Sequence, residues 1–272
     1  MKKTWVLTAV AMVLLGTIGL VVVKTKKGAG VFSRSASIPV QKLLDEAQEA
    51  QSQGDTLKAR GAYQQILSEY PDYEKIEDIQ NKLGALNMQI IFSTQETPNT
   101  VIHQIEPGDS LGKLAKQYGT TKELIKKSNG LKSDVIRVGH KLRIWKAPFT
   151  VLVSKSQNTL TLKSVEDVVK IYRVSTGKNN STPVGTYKIA SKIPNPVWFK
   201  PGGPPIPPES PENELGSRWM GFDEDPHYGI HGTLHPNVIG EQATAGCVRL
   251  INTDVEELFD ILPLGTQVII KD

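Results

Sequence analysis

The chain has one cysteine, Cys247, and His231 lies sixteen residues before it. A free thiol has a pKa of about 8.5 and is mostly protonated at neutral pH, whereas the thiolate is the nucleophilic form. A nearby imidazole can take the thiol proton and later pass a proton to a leaving amine. The two residue types therefore suggest Cys247 as a nucleophile and His231 as its general base and acid. The spacing alone fits equally an inert, buried cysteine beside an unrelated surface histidine.

The residues around this pair favour acyl-transfer chemistry. One imidazole nitrogen must face the sulfur, so another group must hold the second nitrogen; a backbone carbonyl is one candidate, and Gly232 has no side chain to obstruct it. Ala245 and Gly246 are small enough to let a substrate carbonyl approach, and backbone N–H groups there could face a developing oxyanion. In a strand, Arg249 would share the face of the cysteine and could bind a carboxylate.

Mainly β-structure must position these residues. Alternating apolar residues predict two strands within 149–164, joined by a polar turn at 155–158, and further strands in 168–178 and 185–192. After the cysteine, Thr253 and Glu256 predict a capping box that begins a helix running to Leu262.

A proline-rich segment interrupts this β pattern, with eight of the 17 prolines between Pro194 and Pro211. So long a stretch without periodicity is usually disordered or functional, for instance a lid. Trp198 and Phe199 argue against disorder. We therefore expect the segment 194–212 to control access to the site.

Residues 101–145 form a separate compact module in the sequence. A strand leads into a turn at 107–110 that caps one helix, Gly119 ends that helix, and Thr121 caps a second helix. A turn at 128–130 precedes a closing strand at 141–144. The order strand, helix, helix, strand predicts a βααβ module.

The N-terminal third is predicted to be a membrane segment followed by helices. Residues 5–23 carry no charge and are long enough to span a bilayer, so we expect 1–27 to be a membrane anchor, with a cleaved signal segment as the alternative. After a linker at 28–39, residues 40–92 predict three helices, and 93–100 is a polar linker. The first two helices resemble one tetratricopeptide unit, either as a spacer or as a protein-binding repeat.

Composition excludes several classes of function. The 32 Lys and Arg against 28 Asp and Glu give a net charge of +4, too small and too scattered for a nucleic-acid-binding protein. One cysteine cannot form an intramolecular disulfide, and one Cys with scattered His lacks the paired spacing of a metal site. We expect no metal and no organic cofactor.

Two family resemblances follow from these motifs. The module at 101–145 resembles the LysM domain, a binder of N-acetylglucosamine-containing glycans, and the resemblance implies Gly108, Asp109, Ser110 and Leu131 as its glycan-binding residues. The region 149–271 resembles the YkuD-type L,D-transpeptidase catalytic domain through motifs that occur in order: VSTGK (174–178), TPVGTYKI (182–189), NPVW (195–198), NELGSRWM (213–220), YGIHGT (228–233), IG (239–240) and TAGCVRLIN (244–252).

The second resemblance implies the chemistry and the site. Cys247 would be the nucleophile, His231 the general base and acid, and the Gly232 carbonyl the group that orients the imidazole. The candidate substrate-binding residues are Arg249, Thr244, Gly246, Tyr228 and Trp219. Many family members have a polar residue where this chain has Ala245, so any contact of that side chain with substrate is in doubt.

The resemblance implies a peptidoglycan cross-linking enzyme of the cell envelope, membrane-anchored with its body outside the cytoplasm. Its partners would be stem peptides and glycan strands, with a protein partner possible at the helical unit. If water or a protein lysine attacks the thioester, the same site gives an L,D-carboxypeptidase or a protein-tethering enzyme. A rival of another class is a non-catalytic wall-binding protein. A papain-like endopeptidase is a poorer fit because its cysteine precedes its histidine.

Overall fold

The structure is a computed structural model that describes residues 37–200 and 202–272. The expected membrane segment, 1–27, lies outside the described residues, as does most of the expected linker 28–39. Within the described part, no helix is both long and apolar enough to cross a membrane.

The N-terminal unit contains three helices, as predicted. They are α1 (Ser37–Ser52), α2 (Thr56–Glu69) and α3 (Ile76–Ile91). Helix α1 begins three residues before the predicted boundary at residue 40, and α3 ends one residue before the predicted boundary at residue 92. Asp55 caps α2 by accepting a hydrogen bond from the Lys58 amide at 3.0 Å. The helices share an apolar core of their own that includes Ala47, Ile66 and Ile79.

The second unit has the predicted βααβ order. Its elements are β1 (Thr100–Gln104), α4 (Leu111–Tyr118), α5 (Lys122–Ser128) and β2 (Lys141–Trp145), and β1 pairs antiparallel with β2. Ser110 and Thr121 cap the two helices through their side-chain oxygens, and Gly119 ends α4 in the left-handed conformation. These local signals were sufficient to predict the unit because each acts within a few residues.

The C-terminal unit is mainly β, as predicted. Its strands are β3 (Phe149–Ser154), β4 (Thr159–Ser164), β5 (Asp167–Arg173), β6 (Thr176–Gly177), β7 (Gly185–Pro194), β8 (Trp198–Phe199), β9 (Pro205–Ile206), β10 (Arg218–Phe222), β11 (Gly229–His231), β12 (Gln242–Thr244), β13 (Val248–Arg249) and β14 (Gln267–Lys271). Eight of them form one sheet in the order β13-β11-β10-β7-β14-β3-β4-β5. Two pairs in this sheet are parallel, β11 with β13 and β14 with β3.

Helix α6 (Asn252–Ile261) follows β13, the strand directly after Cys247, but the predicted capping box at its start is wrong. The helix begins at Asn252, its N-cap residue is Ile251, and no side chain caps it. Thr253 and Glu256 therefore do not start the helix. The Asn252 side chain instead bonds to two loops beside the site, and packing of Val255 and Leu258 in the core holds the helix in place.

The three units pack against one another. Helix α3 covers β5, the edge strand of the large sheet, and Asn87 donates a hydrogen bond to the Val169 carbonyl at 2.8 Å. Arg143 of β2 is 3% exposed and donates to the carbonyls of Ile90 and Ile91 at the end of α3. The helical unit is therefore docked on the other two units, which a simple spacer would not require.

The proline-rich segment contains a short hairpin in which β8 pairs with β9. The base of the segment is fixed by Asn213, whose buried amide donates to the carbonyls of Pro196, Ile206 and Pro207. Phe199, near its tip, is 74% exposed. The segment therefore projects an aromatic side chain into solvent from a hydrogen-bonded base.

Candidate active site

The parallel pairing of β11 with β13 brings the predicted nucleophile and base together. His231 pairs with Arg249, and Cys247 lies two residues before Arg249, directly ahead of β13. The pairing therefore brings the chain at Cys247 next to the strand of His231, although sixteen residues separate the two in the sequence.

The imidazole of His231 is fixed from two sides. Its Nδ1 is 2.7 Å from the Gly232 carbonyl oxygen, and because a carbonyl only accepts, Nδ1 carries the proton. The Trp219 ring stacks on the imidazole with the ring centroids 5.9 Å apart. In the neutral ring, Nε2 is therefore the basic nitrogen.

The surroundings of His231 keep the imidazole neutral. Burial lowers its pKa from 6.5 to about 4, and the positive charge of Arg249 acts in the same direction. Hydrogen bonds to the backbone of Gly232 and Leu215 raise it, but less than burial lowers it. A neutral imidazole at pH 7 is the form that can accept a proton.

The Cys247 thiol is protonated in this arrangement. Burial raises its pKa from 9.0 to about 11, while a hydrogen bond from the Gly229 backbone and the charge of Arg249 lower it. Its Sγ contacts the His227 carbonyl at 3.5 Å. Among the hydrogen bonds of the described residues, none joins this sulfur to His231. Proton transfer thus requires the thiol to turn away from the carbonyl.

The loop before Cys247 depends on a glycine. Gly246 has φ +137°, and a Cβ there would lie 2.4 Å from Cε1 of the Tyr228 ring. Thr244 is buried; its hydroxyl donates to the Cys247 carbonyl at 2.7 Å and accepts from the Gly246 amide at 3.1 Å. Both hydrogen bonds of Thr244 stay inside the loop, so the hydroxyl holds the backbone on either side of Cys247. The same bond engages the Gly246 N–H, which is then not free to face an oxyanion.

Arg249 already has a carboxylate partner. It is 7% exposed, and its Nη2 lies 2.7 Å from Oε2 of Glu214. Both residues line an open cavity of about 460 Å³, with Lys178, His235 and Glu241. A substrate carboxylate would reach Arg249 only by sharing or displacing Glu214, a residue that the sequence analysis did not single out.

Asn252 is a site residue to which the sequence analysis gave no role, although it ends the TAGCVRLIN motif. Its Oδ1 accepts from the amides of Ser217 at 3.0 Å and Thr233 at 3.1 Å. A Cβ on Gly232 would lie 2.2 Å from this oxygen, and one on Gly216 would lie 2.3 Å from it. Position 232 thus supplies a backbone carbonyl to His231, and only glycine fits there beside Asn252.

The residues predicted to bind glycan lie together at the start of α4, except Leu131. Gly108 is exposed with φ +91°, and Ser110 is occupied as the cap of α4. The Asp109 carboxylate accepts from the Glu106 amide and contacts His103 Nε2 at 2.9 Å, and these contacts lower its pKa. Leu131 is half-buried against the core of its module. Most of the set is thus engaged in holding the turn.

Residues 37–200 and 202–272 contain no group of three or more His, Cys, Asp or Glu side chains able to hold a metal ion.

Comparison with known proteins identifies the βααβ unit and the mainly-β C-terminal unit as two known domains. Residues 148–270 match the model of the L,D-transpeptidase catalytic domain, YkuD, and residues 103–145 match the LysM domain. The protein of Bacillus licheniformis that carries the name L,D-transpeptidase YkuD is 33% identical over 176 residues, which are 62% of this chain and 97% of that protein. YqjB of Bacillus subtilis, also named as an L,D-transpeptidase, is 39% identical over 127 residues, 45% of this chain and 70% of that one.

Among solved structures, L,D-transpeptidase 3 from Mycobacterium tuberculosis aligns with a TM-score of 0.40 and 18% identity. The alignment covers 50% of this chain and 66% of that chain. The matches to the two domain models and to the relative from Bacillus licheniformis define the class of this protein, an L,D-transpeptidase domain preceded by a LysM domain. The chain belongs to the YkuD family of L,D-transpeptidases.

Proposed function

We propose that this protein is a peptidoglycan L,D-transpeptidase that forms cross-links between stem peptides through a thioester on Cys247. One observation carries the proposal. The proposal is supported by the parallel pairing of β11 with β13, since Cys247 directly precedes β13, and by the Gly232 carbonyl that accepts from Nδ1 of His231. That arrangement leaves Nε2 as the base, which is the nitrogen that proton transfer from sulfur needs.

In the first half-reaction, the thiol gives its proton to Nε2 of His231 as the sulfur attacks the carbonyl between the L-centre of a diamino acid and terminal D-alanine. The tetrahedral intermediate collapses, the C–N bond breaks, and His231 returns the proton to the departing D-alanine amine. The products are free D-alanine and a thioester. In the second half-reaction, the side-chain amine of another stem attacks the thioester, its proton passes to His231, and the thiol is regenerated.

The two shifted pKa values favour proton transfer concerted with attack. A thiol with a pKa of about 11 beside an imidazole with a pKa of about 4 does not form an ion pair in the resting site. The thiolate would form only as the sulfur bonds to carbon, when the developing charge moves to the substrate oxygen. Substrate binding would also turn the thiol from the His227 carbonyl towards Nε2.

The substrate would lie against residues on both sides of the thiol. Tyr228 and Trp219 offer aromatic surface, and the cavity beside Arg249 offers charged groups of both signs. We assign Arg249 to binding of a stem-peptide carboxylate in exchange with Glu214. Thr244 and Gly246 would act by holding the cysteine loop.

The LysM domain would bind glycan near Gly108 and hold the enzyme on the polymer, which raises the effective concentration of substrate. Residues 5–23 would anchor the chain in a membrane, with the body in the cell envelope.

The decisive experiment uses full-length protein and disaccharide tetrapeptides, with products weighed by mass spectrometry. Cross-linked dimer with release of D-alanine is expected. Loss of D-alanine without dimer would indicate the carboxypeptidase instead, and attachment of the stem to a protein lysine would indicate tethering. No D-alanine release at all would leave only a wall-binding protein.

Acylation by a carbapenem, read by intact mass, tests the nucleophile and base separately from the acceptor. The adduct should be absent in Cys247→Ala and slowed by at least about a hundredfold in His231→Gln. His227→Gln is the matched control because His227 is also near the thiol but has an exposed ring paired with Asp225. Equal slowing in both histidine variants would contradict the assignment of His231.

A further inference from the structure

The LysM domain is joined to the L,D-transpeptidase domain by a short connection. Strand β2 ends at Trp145 and strand β3 begins at Phe149, so only residues 146–148 lie between them, and Ala147 among these is buried. The Trp145 and Phe149 rings stack with their centroids 5.7 Å apart, and Trp145 Nε1 donates to the Ala147 carbonyl at 2.9 Å. A connection this short and this well packed does not act as a flexible tether.

One apolar core includes side chains of all three units. Leu124 and Trp145 of the LysM domain belong to the same buried cluster as Ile91 of α3. Val151 and Leu258 of the L,D-transpeptidase domain belong to it as well. Moving the LysM domain away would expose its two core residues to water, which the hydrophobic effect opposes. The core therefore holds the domains in one arrangement.

Arg143 on β2 binds the end of α3. Its Nη1 donates to the Ile91 carbonyl at 2.6 Å, its Nη2 to the Ile90 carbonyl at 3.1 Å, and its Nε to the Gln95 carbonyl at 3.1 Å. Burial lowers the pKa of this guanidinium to about 10, so the group stays charged at neutral pH. All three acceptors lie outside the LysM domain, so the hydrogen bonds of this side chain fix the docked position.

A second contact joins α5 to the C-terminal end of α6. The Thr121 hydroxyl donates to the Asp260 carbonyl, and Lys127 forms a salt bridge with the Asp260 carboxylate. At the opposite end of α6, Asn252 holds the loops beside His231. A ten-residue α-helix is about 15 Å long. The LysM domain is thus docked on the helix whose other end supports the candidate active site.

The docked faces leave the expected glycan-binding turn free. The contacts with the other units come from α5 and β2, whereas Gly108 and Ser110 before α4 are exposed. A glycan strand bound at this turn would be held at a set distance and orientation from Cys247. A flexible linker, by contrast, raises the local concentration of substrate without setting its position.

We propose that the substrate is a glycan strand long enough to contact the LysM domain and the candidate active site at once, and that Arg143 is a positioning residue that sets the distance between them. The inference rests on the proposed transpeptidase function. Stems at the set distance from the bound sugars reach the thiol, and other stems on the same strand do not. A free disaccharide tetrapeptide contacts one site at a time, so it gains nothing from the docking.

The test compares the release of D-alanine by the full-length protein from two substrates. One is uncross-linked glycan strands that carry tetrapeptide stems, and the other is the disaccharide tetrapeptide. The value of kcat/KM per stem should be at least about tenfold higher on the strands, as expected for two linked binding sites. Equal values would overturn the inference and leave the proposed function intact. No release from either substrate would instead contradict the proposed function.

Arg143→Met removes the donors and keeps a long side chain. The advantage of strands over the disaccharide tetrapeptide should fall at least about fivefold. Binding of short N-acetylglucosamine oligomers and acylation by a carbapenem should be unchanged, because each measures one domain alone. Arg143→Lys keeps one charged donor and should restore part of the advantage. Arg137→Met, at an exposed residue of the same domain, is the matched control.

Lys127→Ala loosens the docking without a substitution in the core, because the Lys127 side chain is 55% exposed. The strand advantage should fall roughly twofold, as expected for an exposed ion pair. Lys126→Ala is the matched control, since Lys126 pairs with Asp134 inside the LysM domain at 2.6 Å.

Two results of these variants would overturn the inference. The first is that Arg143→Met and Lys127→Ala keep the full strand advantage, or lose no more of it than their controls. The LysM domain would then act only as a tether. The second is that carbapenem acylation falls as much as the activity on strands, which would place the effect within the L,D-transpeptidase domain.

Discussion

Two turns carry the predicted binding and catalytic residues, and both contain a glycine with positive φ. Gly108 in the LysM turn has φ +91° and no atom within 4 Å of the place a Cβ would occupy. Gly246 beside the cysteine has φ +137°, and a Cβ there would lie 2.4 Å from the Tyr228 ring. At Gly108, glycine is favoured only because the backbone has a positive φ. At Gly246, glycine is favoured for the same reason and also because Tyr228, eighteen positions earlier, leaves no room for a side chain.

The histidines of the two regions differ in the same way. His103 lies between Tyr118 and Asp109, both within its own module and within fifteen residues of it. His231 is held by its neighbouring carbonyl, but it is buried by Trp219, and its pKa is lowered further by Arg249 from another strand. The LysM turn is thus built from local contacts, whereas the candidate active site requires the assembled sheet.

The difference between the two turns predicts that the largest loss of stability comes from substituting Gly246. Gly246→Ala should lower the free energy of unfolding by about 4 kcal/mol, because left-handed strain and overpacking against Tyr228 add together. Urea unfolding followed by circular dichroism measures it. The double variant Gly246→Ala with Tyr228→Ala should recover the part due to the clash. Strict additivity of the two changes would show that the ring contact does not matter.

The buried histidine predicts a pH-dependent stability of the catalytic unit. The pKa of His231 is about 4 when folded and 6.5 when unfolded, so between these values the unfolded state binds more protons. The stability that this difference gives is fully present above pH 6.5 and is lost as the pH falls towards 4, on the order of 3 kcal/mol. Unfolding curves of the wild type and His231→Gln measured across this range should converge at low pH. Parallel curves would contradict the shift.

Asn252 should show an effect of intermediate size. Asn252→Ala leaves the amides of Ser217 and Thr233 without their acceptor, so we expect a loss of about 2 kcal/mol and slower carbapenem acylation, because the chain next to His231 is no longer fixed. Asn252→Asp keeps an acceptor oxygen at the same place and should retain most of the stability and most of the acylation rate. Asn81→Ala, at an exposed residue of α3, is the control. If the Asp variant behaves like the Ala variant, the two hydrogen bonds are not what Asn252 contributes.

The smallest effect is expected in the LysM turn. Gly108→Ala should cost about 1 kcal/mol, since only the backbone conformation is strained and no neighbour is displaced. Binding to insoluble peptidoglycan, measured by sedimentation, should weaken only if the added methyl obstructs the glycan. A stability loss as large as that of Gly246→Ala would remove the distinction between the two turns.

The sequence by itself determined the local elements and pointed to the candidate residues of the site. The three helices, the βααβ order, the hairpin turn at 155–158 and the choice of Cys247, His231 and Gly232 all follow from periodicity, caps and motif order. These signals act between residues that are near in the chain, so they can be interpreted without coordinates.

The tertiary structure decided which partners complete the site. Three sets of contacts could not be predicted from sequence spacing. They are the salt bridge of Glu214 with Arg249, the hydrogen bonds of two backbone amides to Asn252, and the hydrogen bonds of Thr244 within its own loop. The predicted capping box failed for the same reason, because Asn252 at the start of α6 bonds across to other loops. The docking of α3 on β5 was also decided by the fold, since an exposed sheet edge must be covered but the sequence does not say by what.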